Sequence, residues 1–239
     1  MEVMEIFSTT ALARLMLLGF GFASLATAAD DLDRLRDHQD RAGLDGRAAA
    51  LHAAAEKMPN DANGWYRAAI AYSFSAEVAM EQRDKNAAER AAEAGAADAE
   101  KAIDLNGKNA DYYRVLGTLC GQVIPANPII GALSYGKRAK EALDKAVEMD
   151  PKSPRAYIAR GVGNYYLPPS FGGGPEPAIR DFRKAISLDP NSADAYLWMG
   201  IALKKQHQNA QAREALTKSL QINPDRAWTK DQLDKTPQQ

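Results

Sequence analysis

Apolar and polar positions follow a helical period along most of this chain, and the pattern recurs. Three stretches end alike, Lys145–Pro151 (KAVEMDP), Lys184–Pro190 (KAISLDP) and Lys218–Pro224 (KSLQINP). A fourth, Lys101–Gly107 (KAIDLNG), has glycine for proline, and Pro59 closes a weaker fifth. Proline lacks an N–H and disfavours helical geometry in the residue before it, so each motif marks the end of a helix. Twelve residues before the three prolines stand Ala139, Ala178 and Ala212. Eight before are Leu143, Phe182 and Leu216, and five before are Ala146, Ala185 and Ser219. A helix face that reads small, large, small lets a neighbouring helix approach closely.

The opposing face precedes it in each unit. Tyr196, Met199, Gly200 and Leu203 match Tyr113, Leu116, Gly117 and Cys120 in spacing, with Tyr157…Gly161 and Trp65…Tyr72 as poorer copies. Together the two faces resemble the tetratricopeptide repeat, W-x2-L-G-x2-Y…A-x3-F…P, and Pro190 to Pro224 spans that repeat's 34 residues. The resemblance implies an all-α fold, a right-handed α-solenoid of helix-turn-helix repeats. Its repeats are expected at 62–108, 110–152, 154–191 and 193–226, behind a divergent helix pair over 29–61. A polar C-terminal segment, 227–239, follows, with Trp228 as a capping contact. Arg160 stands where a large apolar residue is usual, which requires either a packed alkyl stem or an acidic partner.

The repeats differ in one respect. From opening aromatic to second-helix small residue is 16 residues in the last copy (Tyr196 to Ala212). It is 21 from Tyr157 to Ala178, 26 from Tyr113 to Ala139, and 30 from Trp65 to Gly95. The inserts of 14, 10, 5 and 0 residues therefore lie between first and second helices, on one edge of a stack. The first, within 73–94, is rich in helix formers and should lengthen both helices by about two turns each. The second, Gln122–Gly136, sets Val123, Ile124, Ile129, Ile130 and Leu133 among prolines and glycines, a structured apolar loop expected to fold over the groove. The third, Leu167–Gly174, joins a stiff proline pair to glycines able to reach positive φ. This pairing of loops resembles poorly characterised exported bacterial tetratricopeptide proteins. It is also similar to the tetratricopeptide component of periplasmic TRAP-type import systems. The resemblance implies a binding role in an export compartment and no reaction.

Composition narrows the compartment and the partner. Leu15–Ala28 is an apolar run after Arg14 that closes on Ala26-Thr27-Ala28, a small-x-small pattern. It is shorter than the ~20 residues of a spanning helix, so 1–28 reads as a signal peptide cleaved near Ala28, or as an uncleaved anchor. Glu2 and Glu5 are off-pattern there, and a start at Met4 would remove one of them. The expected location is periplasmic or secreted, with no membrane span in the mature chain. Removing 1–28 takes away two acids and one base, leaving 29 of each. A neutral chain without a basic block is unsuited to nucleic acid. Cys120 is the one cysteine, so an intramolecular disulfide is excluded.

Residues with reactive chemistry do not gather into a recognisable site. His38, His52 and His207 are scattered without metal-ligand spacing and read as exposed helix residues, and no metal or cofactor is implied. Cys120 falls on an inward face, where a buried thiol is ordinary. Ser134-Tyr-Gly-Lys137 matches S-x-x-K without the other parts that chemistry requires. Gly172–Gly174 lacks the flanking elements of a phosphate loop. The chain reads as no enzyme.

First helices of such repeats line a concave face. Off their packing positions stand Tyr66, Ile70 and Phe74; Arg114 and Thr118; Ile158, Val162, Tyr165 and Tyr166; and Leu197 and Ile201, with Lys204 and Lys205 beyond. Phe171 adjoins them from the third insert. A mostly apolar face suits a protein or peptide partner, whose identity the sequence does not name. The alternative is a carrier that encloses a lipophilic small molecule under the 122–136 loop. An enclosed cavity would favour the carrier and an open trough the scaffold.

Overall fold

The computed structural model describes residues 31–124 and 132–238. The export signal read over 1–28 lies outside them, as do Ile129 and Ile130 of the second insert. Eleven α-helices and no strand occur among the described residues. They are α1 (31–37), α2 (Arg41–Lys57), α3 (Ala62–Glu81), α4 (Lys85–Leu105), α5 (Ala110–Val123), α6 (Lys137–Met149), α7 (Pro154–Tyr166), α8 (Pro175–Leu188), α9 (Ala193–Lys205), α10 (Asn209–Ile222) and α11 (Ala227–Asp234). Each pair from α3/α4 to α9/α10 is one hairpin of an α-solenoid.

Local chemistry sets the ends. Asp61, Asp84, Asn109, Ser153 and Ser192 each accept a hydrogen bond from a backbone N–H of the first helical turn they precede, which satisfies a donor the helix leaves orphaned. Helices α6, α8 and α10 stop two residues before Pro151, Pro190 and Pro224. The small-large-small face is buried at all nine positions, from Ala139 to Ser219. Opposite it the glycines are places of close approach. A Cβ on Gly161 would stand 2.5 Å from Phe182, and one on Gly200 2.6 Å from Leu216.

The first insert lengthens its helices as its composition suggests. Helices α3 and α4 have 20 and 21 residues against 13 and 14 in α9 and α10, so each gains seven, about two turns. In the second insert the described part ends in a π-helical turn, Ala132–Gly136. In the third, Pro169–Phe171 forms a 3-10 turn, and Gly172 and Gly174 adopt φ of 82° and 105°.

Two expectations are corrected. Residues after 226 are not simply a polar segment, because α11 packs back on the stack. Trp228 lies 5.3 Å from Trp198 between ring centroids, and Arg213 holds the helix end through the carbonyls of Leu233 and Thr236 at 3.1 and 2.7 Å. Nor is His52 an exposed helix residue. Its Nδ1 stands 2.8 Å from the fully buried Asp98 carboxylate, and its ring meets Trp65 and Tyr72 edge-on. It clamps α2 to α4.

The solenoid closes on itself. Arg36 of α1 donates to Asp194 of α9 at 3.0 Å, and Asn223 donates to Asp37 at 2.7 Å. Arg226, 1% exposed, donates to Glu77 at 2.9 Å, to Glu81, and to the Arg36 carbonyl at 3.2 Å. The first described helix and the last repeat thus meet, and the stack becomes a ring.

Candidate binding cavity

The ring surrounds a cavity of about 1450 Å³ that stays partly open to solvent, with residues of every first helix on its wall. A drug-sized pocket holds roughly 300–1,000 Å³, so this space admits a larger or elongated occupant. Its position follows from the hairpins. Second helices bury their small faces against the first helices, which leaves the other side of α3, α5, α7 and α9 turned inward.

Counted from the opening aromatic of each repeat, the first and fifth following positions give Tyr66 and Ile70, Arg114 and Thr118, and Ile158 and Val162. All six line the cavity. Phe74 and Tyr166, each nine residues after its aromatic, line it too, as does Phe171 from the third insert. Tyr166 and Phe171 are 56% and 72% exposed, large apolar surface left uncovered.

Three residues named from the sequence lie elsewhere. Leu197 and Ile201 occupy the same register in α9 but are buried with Leu216 beneath Trp228 and Leu233. The capping helix α11 covers there what the other repeats leave open. Tyr165 turns toward the last hairpin, packing near Met199 and Trp198, with the Lys205 ammonium 4.2 Å above its ring. A second stripe was missed. The position after the first, Arg67, Val115, Ala159 and Trp198, also lines the cavity. A helix turned inward shows two adjacent columns, and only one was taken from the pattern.

Polar groups on the wall are largely committed. Tyr66 donates to Asp111, and burial together with that carboxylate pushes its hydroxyl to about 12. Burial would raise Asp111, yet hydrogen bonds from Arg114 and Tyr66 and the Arg114 charge hold its carboxyl below the usual range. Thr118 donates to the Arg114 carbonyl at 2.9 Å. Arg160 finds the acid its position required. It grips Asp181 through two bonds of 3.0 and 2.6 Å, and Asn164 adds a third at 3.0 Å. Cys120 is buried off the cavity, its thiol pushed to about 12 by desolvation, which leaves it a poor nucleophile. Among the described residues no group of three or more metal-ligating side chains is assembled, and no helix is long and apolar enough to cross a membrane. The wall can bind and enclose.

The family model described as Regulator of microtubule dynamics protein 1-3 matches residues 29–167, and a tetratricopeptide-repeat model matches 182–214. Regulator of microtubule dynamics protein 3 of Bos taurus is 26% identical over 186 residues, covering 70% of this chain and 39% of its own length. Protein 2 of that name, also from Bos taurus, is 29% identical over 160 residues, covering 60% and 38%. The chain thus spans about two-fifths of the length of these curated relatives. Among solved structures, a thermophilic TPR protein of Thermus thermophilus superposes with a TM-score of 0.58. It is 15% identical and covers 80% of this chain and 91% of its own.

Proposed function

The chain belongs to the Regulator of microtubule dynamics protein 1-3 family, and from that premise we propose that it is a non-enzymatic binding module that encloses a lipophilic molecule inside its ring. Its tetratricopeptide fold is that of protein-interaction scaffolds. The observation that carries the finer reading is the closure. An open trough would suit an extended chain passing through it, whereas a stack whose ends Arg226 joins around a largely apolar wall suits an occupant held from several sides. Ile70, Phe74, Ile158, Val162 and Trp198 supply the apolar surface, and burying it against a ligand is favourable by roughly 25 cal/mol per Å².

Titration with the fluorescent probe 8-anilinonaphthalene-1-sulfonate tests this. Saturable binding is expected, and Ile158→Glu, which sets a charge on the apolar wall outside the core clusters, should weaken it about tenfold with the melting temperature held. Equal binding by both proteins would place the probe elsewhere and overturn the reading.

A second reading is supported by the exposed aromatics. Tyr166 and Phe171 at the rim suit docking of an apolar segment of a protein or peptide partner. Under either reading the module works in the export compartment, as the run Leu15–Ala28 suggests. Amino-terminal sequencing of envelope-fraction protein should find Ala29 or a close neighbour first, and a cytoplasmic chain that keeps Met1 or Met4 would refute it.

A further inference from the structure

We infer that the head-to-tail seam is a gate, and that the ring parts between α1 and the junction of α10 with α11 to load and unload the cavity. What passes rests on the cavity reading above, but whether the seam parts does not.

The seam is built unlike every other contact in the ring. Successive hairpins are joined by apolar clusters, from Leu32 and Leu44 at one end to Leu197 and Leu216 at the other. None of the clusters among the described residues joins the first hairpin to the last. The ends are held instead by Arg36, Asp37, Glu77, Glu81, Asn223 and Arg226, with Asp194 beyond. Buried ions lose hydration on closing and regain it on opening, so such a contact breaks at little net cost where an apolar one would not. The chain between the two ends stays packed, so opening needs only a slight unwinding of the solenoid.

The charges do not balance. Arg36 and Arg226 face the carboxylates of Asp37, Glu77, Glu81 and Asp194, with Asp33 3.9 Å from Arg36, and Arg155 adds a third positive charge felt by Asp194 and Asp33, still fewer than the acids. Gln39 also donates to Glu81, and the Tyr166 hydroxyl feels both glutamates. Closure therefore favours one extra proton. Glu81 is its seat, because burial and then Glu77 raise its carboxyl to about 7 against the pull of Arg226. An opened seam returns Glu81 to water near its ordinary 4.5. The closed ring then holds a proton that the open one releases. That support for closure is complete below the ordinary value and is lost as pH rises through about 7. The gate opens more readily on the alkaline side.

A tether tests it. In the full chain with Cys120→Ser, the paired substitutions Asp37→Cys and Asn223→Cys are joined by a short bis-maleimide. Uptake of 8-anilinonaphthalene-1-sulfonate is followed by stopped flow before and after joining. The tether should slow uptake by about tenfold or more, as a closed lid does. Hydrogen exchange of amides 31–37, corrected for intrinsic rate, should be faster at pH 8 than at pH 6. Uptake unchanged by the tether would overturn the gate. If neither form takes up the probe, the cavity reading fails and exchange alone decides. Amides 31–37 as protected as those of α4 at both pH values would then overturn the gate as well.

Discussion

At single positions the fold depends on glycines and on paired charges. Gly200 faces Leu216 with no room for a side chain, so Gly200→Leu should cost about 1–3 kcal/mol by overpacking, read from the shift in denaturant midpoint. His207 in the same repeat is not the exposed helix residue the sequence suggests, because it lies in the turn that follows α9. It holds φ of 61°, a left-handed geometry that glycine adopts freely. His207→Gly should therefore leave stability equal or raise it by up to about 1 kcal/mol, whereas His207→Val should lower it. Arg160→Met leaves the buried Asp181 with Asn164 as its remaining side-chain donor and should cost about 2 kcal/mol, much of it regained when Asp181→Leu is added. The packing residues were legible because their spacing is local: alanine, leucine and glycine recur at fixed distances within one hairpin. The ion pairs were not. Arg160 announced a missing partner without naming it, and His52 meets Asp98 46 residues along the chain, where only packing brings them together.

The elements show what an insertion does. Against the uninterrupted last repeat, the seven extra residues of α3 are its final two turns, and these turns carry Glu77 and Glu81 to Arg226. The first insert reads as added helix length, and that length supplies two of the acids that hold head to tail, beside the α1 contacts of Arg36 and Asp37. Deleting 75–81 with 85–91 should leave a helical protein by circular dichroism that is open, with a larger radius of gyration in X-ray scattering. An unchanged radius would mean that the seam does not hold the ring. Shortening Leu167–Gly174 acts differently, since α7 and α8 pack through Gly161 and Phe182 without it. That variant should melt within a few degrees of the parent yet lose the occupant, with Phe171 gone from the rim; retained binding would show the loop to be structural trim.

Across the molecule, the helical repeats and most of the inward face could be read from one chain, but closure could not. Ring or trough depends on small angles summed over successive hairpins, and no residue pattern states that sum. The cover over Leu197 and Ile201 escaped notice for a related reason, because Ala227–Asp234 has too few apolar residues to announce a packed helix. Closure turns a groove into a partly enclosed cavity, which by the reading proposed above holds an occupant. Native mass spectrometry of the full protein, purified gently from its own source, tests that most directly. One lipophilic molecule should be retained per chain and lost from Ile158→Glu at unchanged helicity. A bare chain in both proteins, or an occupant held equally well by Ile158→Glu, would overturn that reading.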